Sequence, residues 1–171
     1  MRKLLILGAG GYAETAADIA RQSGDYDKIG FLDDNCQGPY ILGRCDEFRM
    51  FSGENVDMYP ALGSNEARMY WLRQLEEAGI HVPVLVHSTA YVSPTVRLKS
   101  GTAVLPKAVI NTNCQVEKGC IINCGAIVDH GCVLEEGVHI CLGAIVKGEN
   151  RIPALMKIEA GQVIDNCQYP I

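Results

Sequence analysis

The sequence predicts a small Rossmann-like parallel-sheet α/β domain followed by a left-handed parallel β-helix. Residues 1–86 alternate between short apolar runs and helical patterns, which is typical of a parallel sheet with helical connections. Residues 87–171 instead carry a six-residue repeat with an aliphatic residue at one fixed phase. This change of period divides the chain into a first domain, 1–86, and a second domain, 87–171.

The first domain contains four apolar runs of strand length and two helical patterns. Residues 35–53, between the second and third runs, hold Gly and Pro without a clear period, and we expect them to be irregular. The predicted strands are Leu4–Leu7, Ile29–Leu32, Val56–Leu62 and Val84–Val86, and the predicted helices are Ala13–Gln22 and a second one from Ser64 or Asn65 to about Ala78.

The second domain divides into hexads from Val92 onward. The first residue of each of twelve successive hexads is Val, Leu or Ile, and Ile164 begins another. The fifth residue is mostly small or apolar, which lets the chain turn tightly around a narrow core. Each hexad therefore forms one side of a triangular coil, and residues three hexads apart stack along the axis.

The eight cysteines fit this repeat better than they fit a metal or redox site. None forms a C-x-x-C pair, and none has zinc-ligand spacing with a histidine. Cys114, Cys120 and Cys132 occupy fifth positions and are predicted to be small core residues. Cys124 and Cys141 fall at other positions, where we expect more exposure.

Composition narrows the class of protein and its partners. Hydrophobic residues make up 48% and charged residues 20%, as in ordinary globular domains. A net charge of −5 argues against a nucleic-acid or anionic-membrane surface. The apolar run Leu4–Leu7 is too short for a signal peptide or a membrane span, so a cytoplasmic protein is predicted.

Glycine-rich and polar turns follow three of the predicted strands. A G-x-G-x-x-A pattern before a helix brings backbone N–H groups and a helix N-terminus close to phosphate. Aspartates at the end of the second strand suit a ribose or base. Together they predict a nucleotide-diphosphate sugar, and an NAD-binding domain is the alternative. The candidate residues are Gly8, Gly10, Gly11, Asp33, Asp34, Gly63, Ser64 and Asn65.

Two of the four histidines lie inside the repeat. His130 is the third residue of VDHGCV and His139 the last of LEEGVH, so both side chains are predicted on the outer surface. A single surface histidine usually has no function. His81 and His87 are interpreted as structural or solvated.

The chain resembles the bacterial sugar O/N-acetyltransferase family, which includes sialic-acid O-acetyltransferases and UDP-4-amino-sugar N-acetyltransferases. The segments that carry the resemblance are LILGAGGYAETAADIA, GFLDD, ALGSNEAR, LVHSTAYVSPTV and INCGAIVDHGCVLEEGVHICLGA. The resemblance implies acetyl-CoA as co-substrate, a nucleotide-linked sugar as acceptor, no metal, and a homotrimer built through the flat faces of the β-helix.

The resemblance also implies roles for four residues. His130 matches the general base and Asn123 the residue that orients the acceptor group. His139 matches a second histidine near the thioester. Gly148, three hexads after His130, matches a glycine whose N–H would meet the developing oxyanion. A plain turn is an equal alternative for Gly148.

The sequence departs from the family pattern at three places. Tyr12-Ala13 alters the phosphate loop, and Gly131 follows His130 where an acid is common. Asp129 precedes His130, but neighbours on one side of a coil tend to point differently, so it is not expected to replace that acid. The repeat breaks at VKGENRIPALMK, with relatives expected to continue for further coils. An alternative is therefore a catalytically inactive nucleotide-sugar-binding relative without the CoA groove.

Overall fold

A computed structural model describes residues 2–171, which form two compact units, one ending at Pro83 and one running from Val84 to Ile171. The first unit is built on a parallel four-stranded sheet with the order β3-β2-β1-β4. Its elements are β1 (Lys3–Leu7), α1 (Gly11–Ser23), β2 (Lys28–Leu32), β3 (Ile41–Gly43), a 3-10 helix (Cys45–Phe51), β4 (Val56–Pro60) and α2 (Asn65–Glu77).

The apolar runs become the buried strands of this sheet. β1 lies between β2 and β4, and Leu4, Ile6 and Leu7 are fully buried. Both helices begin and end where the local chemistry predicts. Ser64 caps α2 by accepting a hydrogen bond from the Ala67 N–H at 3.2 Å, and Gly24 ends α1 in the left-handed conformation with φ 76°.

Two parts of the first domain differ from the sequence prediction. The stretch expected to be irregular contains β3 and the 3-10 helix. In addition, the apolar run predicted as the last strand of the first sheet forms β5 (Leu85–Val86), which pairs with Ala103–Val104 in the second unit. A two-residue apolar strand has the same pattern in either unit, so the sequence alone did not show to which unit this strand belongs. The division between units accordingly falls at Pro83, three residues before the predicted boundary at 86.

The second unit is a left-handed parallel β-helix, as predicted. Two-residue strands alternate with turns and stack into three parallel sheets, in which each strand pairs with the strand one coil away. The strands after β5 are β6 (Tyr91–Val92), β7 (Arg97–Leu98), β8 (Ala103–Val104), β9 (Val109–Ile110), β10 (Gln115–Val116), β11 (Ile121–Ile122), β12 (Ile127–Val128), β13 (Val133–Leu134), β14 (His139–Ile140), β15 (Ile145–Val146), β16 (Arg151–Ile152), β17 (Lys157–Ile158) and β18 (Val163–Ile164).

The core of the β-helix contains the first and fifth residues of the hexads, which confirms the predicted phase. Cys114, Cys120 and Cys132 are buried, and each thiol donates to a backbone carbonyl of the next coil at 3.0–3.3 Å. The expectation for Cys141 was wrong, since only 4% of its surface is exposed.

Asn150 breaks the small or apolar pattern of the fifth position without leaving the core. It is fully buried, and its amide donates to the carbonyls of Lys147 and Asp165 while its oxygen accepts from the Tyr169 N–H. Because these hydrogen bonds satisfy both ends of the amide, the core continues through the segment where the repeat appeared to break.

In every hexad from Leu98 onward, the fourth residue turns the chain through the left-handed region. Glycine usually occupies this position, as at Gly131 with φ 68°. Five non-glycine residues adopt the same conformation instead, namely Lys107, Asn113, Glu149, Leu155 and Cys167. A left-handed residue with a side chain costs about 1 kcal/mol, so these positions carry strain that the stacked coils hold in place.

Candidate active site

His130 lies at a corner of the β-helix directly after β12, and 53% of its side chain is exposed. Its imidazole rests against Gly148, which occupies the same corner one coil later. A Cβ atom at Gly148 would lie 2.7 Å from Cε1 and 2.9 Å from Nε2 of His130. Since real Cβ atoms essentially never approach so closely, glycine at 148 is what makes room for the ring.

Gly148 lies in the bend at this corner, as the turn interpretation expects, but it does not make the left-handed part of that bend. Gly148 is a third-position residue and lies outside the left-handed region, whereas Glu149 takes that conformation with φ 59°. The chain thus places a glycine where none is needed for turning and a strained glutamate where glycine is usual. Within residues 2–171 the Gly148 N–H donates no hydrogen bond, so it is available to a ligand.

Asp129 is the carboxylate next to this imidazole. Its Oδ2 lies 3.9 Å from His130 Nε2, and its Oδ1 accepts a hydrogen bond from Asn111 Nδ2 at 3.0 Å. The His130 backbone N–H, and then the Asn111 amide, hold the pKa of Asp129 below its usual value. The expectation that Asp129 would point away was wrong, because the second and third residues of a hexad both project outward at a corner.

Asn123 and His139 form a second group on a different sheet of the β-helix. Asn123 follows β11 and His139 lies in β14, and their Nδ2 and Nε2 atoms are 3.0 Å apart. Asn123 Oδ1 accepts the Cys124 N–H at 2.8 Å, which leaves its amide nitrogen facing the imidazole. An amide nitrogen only donates, so His139 Nε2 accepts and its proton resides on Nδ1.

In the first unit, the two predicted aspartates line a cleft of about 490 Å³ formed by residues 33–38 and 41–44. Asp33 accepts hydrogen bonds from the Ala9, Asn35 and Cys36 N–H groups at 2.7–2.8 Å. Burial raises the pKa of Asp33, but these backbone donors outweigh it and lower the pKa below its usual value. Asp33 thereby ties the glycine turn to the cleft.

Asp34 and Arg44 complete the wall of this cleft. Asp34 Oδ1 accepts the Cys45 N–H at 3.1 Å, and Arg44 lies 3.8 Å from the same oxygen. Arg44 was not predicted, because a lone arginine in an irregular stretch carries no motif. Its half-exposed guanidinium is the kind of group that binds phosphate.

The remaining predicted residues sit in two turns at the carboxyl ends of β1 and β4. Gly8 has φ 102°, and a Cβ there would lie 2.9 Å from the Ala61 carbonyl oxygen, so this position requires glycine. Gly10 caps α1 and Gly11 begins it, both with open space beside them. In the second turn Gly63 is also open, Ser64 caps α2, and Asn65 Oδ1 accepts from the buried Arg68 at 2.7 Å.

Replacement of Asp33 by alanine is expected to weaken nucleotide-sugar binding and to leave acetyl-CoA binding unchanged. Loss of hydrogen bonds to a charged acceptor should also destabilise the first unit by about 2 kcal/mol. Because the folded-state pKa of Asp33 is lowered, this contribution is present above about pH 4 and disappears as the pH falls. Calorimetric titrations with each ligand and melting curves at several pH values measure these effects.

Asp18→Ala is the matched control, since Asp18 is exposed on α1 and pairs with Arg21. A loss of acetyl-CoA binding alone in Asp33→Ala would contradict the assigned role of the first unit.

Residues 2–171 show neither a metal-binding cluster nor a membrane-spanning helix. Residues 2–171 contain no group of three or more His, Cys, Asp or Glu side chains placed to hold a metal ion. Over the same residues, neither helix has the length and apolar character needed to cross a membrane.

Comparisons with known proteins identify related folds for both units. Residues 3–75 match the family described as the PglD N-terminal domain. The acetyltransferase domain of PglB from Neisseria gonorrhoeae FA1090 is 34% identical, with a TM-score of 0.94 over 98% of this chain and 84% of that one. The same domain in complex with acetyl coenzyme A is 35% identical, with a TM-score of 0.94 over 98% of this chain and 83% of that one.

Two more distant structures share the architecture. A histidine-to-alanine variant of GDP-perosamine N-acetyl transferase from Caulobacter crescentus, in complex with CoA and GDP-perosamine, is 25% identical, with a TM-score of 0.85 over 99% of this chain and 91% of that one. WeeI from Acinetobacter baumannii AYE is 20% identical, with a TM-score of 0.87 over 96% and 81% of the respective chains, and supports the fold alone.

Proposed function

Because this chain belongs to the bacterial sugar acetyltransferase family, we propose that it transfers an acetyl group from acetyl-CoA to an amino or hydroxyl group of a nucleotide-linked sugar. The observation that carries the proposal is the corner at which the His130 imidazole packs on Gly148, in a chain 35% identical to a domain that binds acetyl coenzyme A. A nucleotide-sugar acceptor is supported by the Caulobacter crescentus enzyme, whose complex contains GDP-perosamine.

His130 is the proposed general base. An imidazole has its ordinary pKa near neutral pH, so the neutral ring can take a proton from the attacking amine or hydroxyl and release it later. The nucleophile forms a bond to the thioester carbonyl carbon while its proton passes to His130. Collapse of the tetrahedral intermediate breaks the carbon–sulfur bond, and the proton leaves with the CoA thiol.

Gly148 is proposed to stabilise the intermediate through its backbone N–H, which has no partner among residues 2–171. A fixed donor aimed at a developing oxyanion typically contributes about 3 kcal/mol to catalysis. Asn123 and His139 are proposed to contact the acceptor group and the thioester. Their mutual hydrogen bond fixes both side chains before substrate binds.

The first unit is proposed to bind the nucleotide. Its cleft presents the Arg44 guanidinium and polar groups of residues 33–38, and Gly10 and Gly11 offer backbone N–H groups at the start of α1. These groups suit a diphosphate and a ribose better than they suit an apolar ligand.

A homotrimer is the proposed assembly, and one face of the β-helix has the character of its interface. The sheet β18-β15-β12-β9-β6 carries an in-register apolar ladder on its outer side, with 36% of Ile127 exposed. The corresponding positions of the other sheets include charged and polar residues. The ladder consists of Tyr91, Val109, Ile127, Ile145 and Val163.

Ile127→Glu is expected to dissociate the assembly, because three carboxylates would be brought into an apolar interface without partners. Light scattering after size exclusion should show a fall toward the 18.6 kDa of one chain. Gln115→Glu, on the sheet that contains β10, introduces the same charge and should leave the mass unchanged. A trimer that persists in Ile127→Glu would exclude this face as the interface.

The proposed function is tested by incubating the protein with acetyl-CoA and a panel of UDP- and GDP-linked amino sugars, and following acetylated product and free CoA by mass spectrometry. Mass spectrometry is preferable to a thiol reagent, because the chain has eight cysteines of its own. Acetylated nucleotide sugar is the expected product. Binding of the nucleotide sugar without binding of acetyl-CoA would overturn the transferase and favour a binding protein.

A further inference from the structure

We propose that Asp129 is the positioning residue for His130, and that it orients the imidazole from the position before the histidine. This inference rests on the proposed function, in which His130 is the general base. The two groups belong to consecutive outward-facing positions of one hexad, with Asp129 Oδ2 3.9 Å from His130 Nε2. Among residues 2–171, Asp129 is the carboxylate at ion-pair distance from this ring.

The carboxylate is itself held in place. Asn111, one coil earlier in the same column, donates its amide to Asp129 Oδ1 at 3.0 Å and leaves Oδ2 for the imidazole. The backbone N–H of His130 also favours the charged form of this carboxylate and lowers its pKa. A chain of contacts therefore runs from Asn111, directly after strand β9, through Asp129 to His130, the proposed base.

Neighbouring charges do not take Asp129 away from His130. Lys147 stacks one coil after Asp129, but its Nζ donates to Asp165 at 2.6 Å. Glu149 lies at the corner of His130 and Gly148, where its Oε2 is 3.9 Å from the Cys167 Sγ. The position after the histidine is Gly131 with φ 68°, so the left-handed turn is made without strain there.

This arrangement assigns different tasks to the two ring nitrogens. A carboxylate beside Nε2 favours the tautomer that carries its proton on Nε2, which leaves Nδ1 free to accept a proton from the nucleophile. When His130 becomes an imidazolium, the negative charge of Asp129 stabilises it. At 3.9 Å and with partial exposure the interaction is moderate, so Asp129 assists His130 without being indispensable.

The experiment compares Asp129→Asn with Glu117→Gln. An asparagine at 129 removes the charge but still accepts the Asn111 hydrogen bond. Glu117 occupies the equivalent second position on another corner and pairs with Lys99, so its variant controls for the loss of a surface carboxylate. We expect Asp129→Asn to lower kcat about tenfold with little change in either KM.

A second readout does not depend on turnover. The 15N chemical shifts of the His130 ring, assigned by their loss in His130→Ala, report which nitrogen carries the proton. Asp129→Asn should reduce the Nε2–H population, and Glu117→Gln should not. If Asp129→Asn matches wild type in both kcat and the 15N shifts, Asp129 has no positioning role. If wild type transfers no acetyl group, the proposed function fails, while the 15N result still decides whether Asp129 orients His130.

Discussion

His130→Ala should reduce acetyl transfer by about 100- to 10,000-fold, the range that a general base contributes. The fold and the assembly should survive, because half of the imidazole is exposed and it occupies an outward corner rather than the core. The measurement is single-turnover transfer from acetyl-CoA at saturating acceptor. Calorimetry with both substrates should show that binding persists. The base acts on the proton of the nucleophile and does not bind the CoA or nucleotide part of the substrates.

The matched control is His87→Ala. His87 is a partly buried histidine at another corner of the β-helix, where its Nδ1 accepts the Thr89 N–H at 3.1 Å. It should lose little activity. Near-normal turnover in His130→Ala would remove this histidine from the mechanism, and equal losses in the two variants would indicate a general effect on the coil.

Gly148→Ala should have the second largest effect, although it adds a single methyl group. The new Cβ would lie 2.7–3.3 Å from three atoms of the His130 ring, so the imidazole must swing away. Displacement of a catalytic group by about 1 Å can lower the rate on the order of 100-fold. The loss should appear in kcat, with the melting temperature nearly unchanged, because alanine is compatible with the backbone at 148.

Glu149→Gly serves as the control for this change. It alters the neighbouring residue at the same corner but relieves a left-handed conformation, so stability should rise by roughly 1 kcal/mol and activity should be retained. A crystal structure of Gly148→Ala would show whether the ring has moved. Full activity in Gly148→Ala would mean that neither the ring position nor the glycine matters for transfer.

The β-helix could be predicted from sequence because its rule is local. Each hexad repeats the same requirement for an inward aliphatic residue, and Ile110, Val128 and Val146 satisfy it in three successive coils with no exposed surface. Even Asn150, which breaks the pattern, keeps its place through hydrogen bonds. A period of this kind survives individual exceptions, since each hexad is supported by its neighbours above and below.

The first unit was harder to predict, because its details depend on distant contacts. The stretch of residues 35–53 has no period, yet Phe31 donates to the Tyr40 carbonyl and so adds β3 to the sheet. Asp33 and Asp34 were predicted to meet a ligand, whereas the structure also shows them accepting the backbone N–H groups that shape the cleft.

At the candidate active site, the sequence suggested candidate residues but not all of their contacts. Nothing in the chain indicated that Asn123 would contact His139, whereas the spacing of three hexads already placed Gly148 next to His130. Asp129 was considered but not expected to face His130, because alternation along a strand was applied to a corner. The signal was present in the repeat itself, since a hexad has only two inward positions and the second and third residues both fall outside.

The buried thiols allow the unfolding of the β-helix to be followed by cysteine labelling. Cys114, Cys120 and Cys132 are enclosed in the core, and each has at most 1% of its surface exposed. Alkylating reagents must reach the sulfur atom, so in the native state they should label the exposed Cys36 and Cys167 first. The slower labelling of the core thiols would then report the rate at which the coils separate. This rate measures the kinetic stability of the β-helix without any added probe.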